Sequence, residues 1–148
     1  MLTFRPREAT TKVVLHDSQT PPSQTNLKHF LAVKGRAQGL LAVGYHYLIL
    51  RDGRLLECRP HNAWGAHMRH RNADSIAVCL GGGVDEAGEP EGNFTPEQGE
   101  TLRGLMAYLA DFYGPLPLVG HSEAYPRHSR QCPAINMEKA RAWVTNPN

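Results

Sequence analysis

Three side chains combine metal- or proton-carrying chemistry with telling positions: His16, His121 and Cys132. His16 follows the apolar run "VVL" and His121 follows "LVG", so each is the first polar side chain after a stretch that reads as a buried strand. In open α/β sheets, sites form in the crevice beyond the carboxyl ends of strands. Two strands running parallel would deliver both imidazoles to one edge. Cys132 lies in the polar loop that leaves His121, near enough in chain to fold back. Two imidazoles and a thiolate would give a divalent ion three protein ligands and leave a fourth position open. That is the pattern of catalytic zinc, whereas structural zinc is closed by four protein ligands. Soft sulfur beside imidazole favours zinc over magnesium or calcium. The competing reading is two strand-terminal histidines and an incidental cysteine. Spacing alone does not decide between them, and no Cys-x-x-Cys is present.

Eight histidines and three cysteines give other candidates to weigh. His29 falls on a predicted helix and reads as a surface residue. His61, His70 and His128 sit in loops beside Arg or Asn, where solvation is the default. His46 lies inside a predicted strand and reads as a hydrogen-bonded structural residue. Cys58 and Cys79 sit in apolar runs and read as small core residues. An odd cysteine count without an export signal argues against a disulfide framework.

The elements that must position these residues alternate between strand and helix. "TKVVLHD" (11–17) reads as a buried strand and "SQTPPSQT" (18–25) as a loop. Residues 26–39 read as a helix, with Leu27, Phe30 and Leu31 on one face and Gly39 as its stop. Residues 44–59 read as a hairpin, because two apolar runs flank Asp52-Gly53, a pair that tight turns prefer. A polar loop (60–74) leads to the buried strand "SIAVCL" (75–80), and a Gly- and acid-rich loop (81–93) follows. Residues 95–113 read as a helix with Thr95 as N-cap, Pro96 at the first position and Gln98 completing a capping box. Its apolar stripe is Leu102, Leu105, Met106, Leu109 and Phe112, and Gly114-Pro115 ends it. "LPLV" (116–119) reads as a last strand, and 136–144 as a closing helix capped by Asn136. The fold class is therefore α/β, with a central mixed sheet flanked by helices.

Bulk properties bound the function. A chain of 148 residues suits one domain, here residues 1–148, with a real core. Hydrophobic residues make up 41% and charged residues 20%, as in ordinary globular proteins. A net charge of +2 is too small a bias to argue for a nucleic-acid partner. The N-terminus "MLTFRPREATTK" has no apolar core of a secretory signal, and no apolar run approaches the roughly 20 residues of a membrane span.

Five segments in order, "VVLHDSQT", "VGYHYLILRDG", "WGAHMRHRNADSIAVCLGGGVD", "NFTPEQ" and "GHSEAYPRHSRQCP", resemble the zinc N-acetylmuramoyl-L-alanine amidases. The likeness is strongest to the amidase-type lysozymes of bacteriophages, and peptidoglycan recognition proteins share their fold. The match runs from about residue 11 to residue 135. The resemblance implies a mixed sheet with flanking helices and a groove holding one Zn2+. It implies hydrolysis of the amide between N-acetylmuramic acid and the L-alanine of the peptidoglycan stem peptide. By position it places the zinc ligands on His16, His121 and Cys132, and a catalytic tyrosine on Tyr45. It makes Trp64 and His67 candidates for substrate contact. Without the resemblance, Tyr45 reads as a packing residue that shares a strand face with Tyr47 and Ile49. Glu123, next to a ligand, reads either as orienting it or as facing solvent.

One departure concerns the lysine that the phage enzymes carry two residues before the ligand cysteine. Arg130 holds that place here, in a loop slightly longer than theirs. Arg stays charged at all working pH values, which suits an oxyanion stabiliser better than an acid. A second concerns the strand glutamate of other amidases, where this chain has Cys79; its absence favours the phage-type arrangement. The implied partner is peptidoglycan, with no nucleic acid and no stable membrane insertion expected; a monomer is one of the oligomeric states left open. The implied location is the host cytoplasm until release to the cell wall. The alternatives are a non-catalytic peptidoglycan-binding domain, a cysteine hydrolase using Cys132 and His121, and an intracellular amidase that recycles muropeptides.

Overall fold

β1 (Lys12–Asp17) forms around three consecutive fully buried aliphatics, Val13, Val14 and Leu15. A strand buried on both faces needs neighbours on both edges, as parallel strands inside a sheet do. β4 (Ser75–Leu80) is likewise buried at all six positions, and it pairs with β1 in parallel. The computed structural model describes residues 4–25, 44–68, 71–126 and 131–145. Within them, β2 (Tyr47–Ile49), β3 (Leu55–Glu57) and β5 (Leu118–Gly120) complete a sheet of order β3-β2-β4-β1-β5. β2 runs parallel to β4 and antiparallel to β3, so the sheet is mixed, as expected. The hairpin turns at Gly53, whose φ of 91° favours a residue without a Cβ.

Helices cover one face. α1 (Pro96–Tyr113) and α3 (Met137–Thr145) pack Leu102, Leu105, Met106, Leu109, Met137 and Ala140 onto Val13, Leu15, Ile49, Ile76, Val78 and Leu80. The start of α1 is fixed by its cap. The Gln98 N–H donates to Thr95 Oγ1 (3.2 Å), and the Thr95 N–H donates to Gln98 Oε1 (3.0 Å). The same Gln98 side chain donates to the Ile49 and Gly81 carbonyls, which ties the cap to the strand ends. Asn136 caps α3 by accepting from the Glu138 N–H. A short helix unforeseen in the sequence, α2 (His121–Ala124), follows β5 directly. No helix among the described residues is long and apolar enough to cross a membrane.

The opposite face carries Leu48, Leu50, Cys58 and Cys79, with Tyr45 packed against them. Cys58 and Cys79 are fully buried, as their apolar runs implied. Strand alternation puts Val14 and His16 on this second face, away from the helices.

Two expectations need correcting. Phe112 is not part of the buried stripe but is 55% exposed. Tyr113 takes the inner position one turn beyond Leu109, and Phe112 turns outward against the His61 ring at 4.5 Å. Tyr45 does not share a face with Tyr47 and Ile49. It precedes β2, so strand alternation does not reach it, and it joins the cluster on the other face while Tyr47 faces the helices. The helix expected over 26–39 lies outside the described residues, as do His29, His70, His128 and Arg130.

A Thr95→Ala substitution should cost about 1 kcal/mol, the usual loss on removing a helix cap. Leu109→Ala, at a fully buried position, should cost about 2–5 kcal/mol. Urea unfolding should show both as midpoint shifts at an unchanged slope.

Candidate metal centre

Parallel pairing sets Leu15 opposite Gly120, so the next residues, His16 and His121, stand abreast at the carboxyl ends of β1 and β5. Their ring centroids are 4.4 Å apart. Cys132 lies beside them. One ligand atom from each of His16, His121 and Cys132 lies within 4.8 Å of the others, and all three residues are buried. This is the set that strand-end reasoning singled out, and the structure brings its members together. Tetrahedral zinc with nitrogen and sulfur ligands spaces neighbouring ligand atoms about 3.5 Å apart, so the cluster can hold an ion with small inward adjustment.

The cluster is supported from the 60–75 segment. His67 Nδ1 lies 2.8 Å from His16 Nε2, and His67 Nε2 lies 3.0 Å from Ser75 Oγ. Asn72 Oδ1 accepts from the main-chain N–H groups of both His67 and Met68, which fixes the turn that carries the ring. Burial lowers the His67 pKa to about 3, helped by neighbouring imidazoles and guanidinium groups. A neutral ring has one acceptor and one donor nitrogen, which fits Nδ1 accepting from His16 and Nε2 donating to Ser75. His67 was singled out as a substrate contact, and the structure seats it against a candidate ligand.

His46 is structural, as its strand position implied. Its Nδ1 accepts from the Ala77 N–H at 2.9 Å, and its Nε2 donates to the Ala63 carbonyl at 2.7 Å. Burial lowers its pKa to about 4.

The Tyr45 ring sits 5.1 Å from that of His16. The neighbouring Cys79 sulfur, burial, and smaller effects from Cys132 and Asp17 push its phenol well above the ordinary value. Tyr45 therefore keeps its proton and can act as a hydrogen-bond donor beside the cluster. The Trp64 ring lies under the Arg5 guanidinium at 4.3 Å, and the Trp64 main-chain N–H donates to the Arg5 carbonyl. Glu123 faces solvent, its side chain 44% exposed. It accepts from the Gly120 N–H at the start of α2 and pairs with Arg141 of α3. Arg141 and the Gly120 N–H hold its carboxyl below the usual range. Sequence reasoning missed Asn72, Ser75, Asp17 and Ser122, which bond main chain or rings around the cluster. For Asp17 and Ser122 the signal was a short polar residue one position from a ligand; Asn72 and Ser75 carried no such signal.

Fold and site together define an α/β protein with a buried His–His–Cys cradle at the ends of parallel strands. Residues 6–135 match the N-acetylmuramoyl-L-alanine amidase family, and the chain belongs to it. It is 38% identical to the endolysin of Escherichia phage T7 over 143 residues, which is 97% of this chain and 91% of that protein. It is 35% identical to the endolysin of Klebsiella phage KP32, with the same coverage. Among solved structures, the endolysin N-acetylmuramoyl-L-alanine amidase LysCS from Clostridium intestinale shares the fold. It matches with a TM-score of 0.70 at 24% identity, over 98% of this chain and 92% of that one.

The His46 pKa has a direct consequence for stability. The folded value of about 4 is depressed from the ordinary 6.5, so the unfolded chain takes up the proton first as pH falls. Stability should be intact above pH 6.5 and should fall by up to about 3 kcal/mol on approaching pH 4. His46→Gln keeps one acceptor and one donor but cannot take up that proton. Urea titrations at several pH values should show a flatter curve for the variant over this window.

Proposed function

We propose that this amidase cleaves peptidoglycan through a zinc centre held by His16, His121 and Cys132. The chain is an N-acetylmuramoyl-L-alanine amidase related to phage endolysins. The bond cut is the amide between the lactyl group of N-acetylmuramic acid and the L-alanine of the stem peptide. The observation that carries the zinc reading is the buried convergence of two imidazoles and one thiol from three separate segments. That donor set suits zinc, and three protein ligands leave one position for water or substrate. A zinc ion bound there would supply a Lewis acid for the scissile carbonyl and lower the pKa of its water towards about 7.

The chain's own residues do the rest. His67 holds the His16 ring through Nε2, which leaves Nδ1 as the ligating atom and fixes the tautomer. Tyr45, with its phenol kept protonated, donates a hydrogen bond to the carbonyl oxygen as negative charge develops there. Its raised pKa suits a donor better than a proton-transfer acid. On the family likeness, Arg130, two residues before Cys132, is taken as the second donor for that oxygen. Trp64 is kept as a substrate contact on the family likeness. Like the phage endolysins it resembles, the chain would act when it reaches the cell wall.

Zinc analysis of the purified chain should give one ion per molecule. His16→Ala and Cys132→Ala should each lose the ion, along with release of stem peptide from isolated wall. A chelator should abolish release and added zinc restore it. Activity that survives metal removal would instead point to Cys132 as a nucleophile and overturn the zinc reading. Tyr45→Phe should retain the ion and lower kcat by about 10²–10³, the usual loss for one oxyanion donor.

A further inference from the structure

The three candidate ligands come from three segments, and Cys132 is the one on a loop rather than beside a paired strand. Two residues outside the cluster tie that loop down. Asp17 follows His16 and ends β1, and it is only 4% exposed. Its Oδ2 accepts from the Ala134 N–H at 2.7 Å, two residues past Cys132. Its Oδ1 accepts from the Gln19 N–H at 3.0 Å. A carboxylate is costly to bury unless such bonds hold it. Gly83 closes over it: a Cβ there would lie 2.4 Å from Asp17 Cγ, and its φ is +102°.

Ser122 makes the second tie. It follows His121 directly, its Oγ accepts from the Cys132 N–H at 2.7 Å, and its own N–H donates to the Cys132 carbonyl at 2.9 Å. The residue after each imidazole thus bonds the main chain at or near the thiol.

We propose that Asp17 and Ser122 are positioning residues that hold the Cys132 sulfur at the two imidazoles. Asp17 braces the loop to the strand of His16, and Ser122 braces it to the turn of His121. This rests on the metal-site reading above and adds to it what preorganises the third ligand. Asparagine at 17 would offer one acceptor oxygen and turn an amide nitrogen towards a main-chain N–H, so one tie is lost. Glutamate keeps the charge but is longer, and Gly83 leaves no room for it.

The test is titration of the metal-free full chain with cobalt(II) alone. It follows affinity and the thiolate-to-cobalt charge-transfer band, alongside thermal melting of the metal-free form. Asp17→Asn should bind cobalt about 10–100-fold more weakly, with a weaker band per bound ion, the range usual for residues that orient a ligand. Asp17→Glu should not restore either reading, and Ser122→Ala should show a smaller loss of both. Parental affinity and band in Asp17→Asn would overturn the proposal. So would a lowered melting temperature with the band per bound ion unchanged, because that is a purely structural effect. If Asp17→Asn does not fold, Ser122→Ala decides, and parental values there overturn the proposal. A parent chain that binds no cobalt would sink the metal-site reading itself, and this inference with it.

Discussion

The pairing register of β1 with β5 is the constraint on which the site depends. Parallel neighbours stand about 4.8 Å apart. With Leu15 opposite Gly120, the following residues are delivered side by side. A slip of one residue would turn His16 to the helix-covered face, because strand side chains alternate. The buried aliphatics Val13 and Leu15 oppose that slip, since they would have to leave the core. The packing that stabilises the sheet therefore also sets the spacing of the imidazoles. Hydrophobic burial and site geometry are the same fact seen from two faces.

The surroundings of the cluster are chemically quiet in the protein's resting state. His67 and His46 are held neutral by burial, so neither adds a positive charge near a cation site. Tyr45 keeps its proton through the nearby sulfur of Cys79 first and through burial second. Neutral imidazoles can ligate or relay hydrogen bonds, and a protonated phenol has a hydrogen to offer. Low exposure thus assigns roles that the residue types alone leave open.

Much of this was legible in the sequence, and the limits have physical causes. β1, β4 and the long helix were clear because each carries a strong period or cap: unbroken aliphatics in the strands, Thr95-Pro96-x-Gln98 in the helix. His16 and His121 were visible because each follows such a run. The face of Tyr45 was not legible, because strand alternation holds only inside a strand and β2 begins at Tyr47. Phe112 misled because a helical stripe widens near its end, where Tyr113 could fill the same space. The partners of the ligands were hidden because Asp17, Asn72 and Ser122 bond main-chain groups. Such bonds depend on where loops return in space, and neighbouring residue types do not encode that. His67 could be tied to a site only through a family likeness, and its contact with His16 spans 51 positions in the chain.

The N-terminal segment has a role that its position at the chain's start would not suggest. Pro6 bridges to Ala63, the Arg7 N–H bonds the Asn62 carbonyl, and Arg5 covers Trp64. It works as a strap fastened across the loop whose far end presents His67 to His16. Clipping that strap would touch no ligand, yet it would free the scaffold that keeps one imidazole aimed at another.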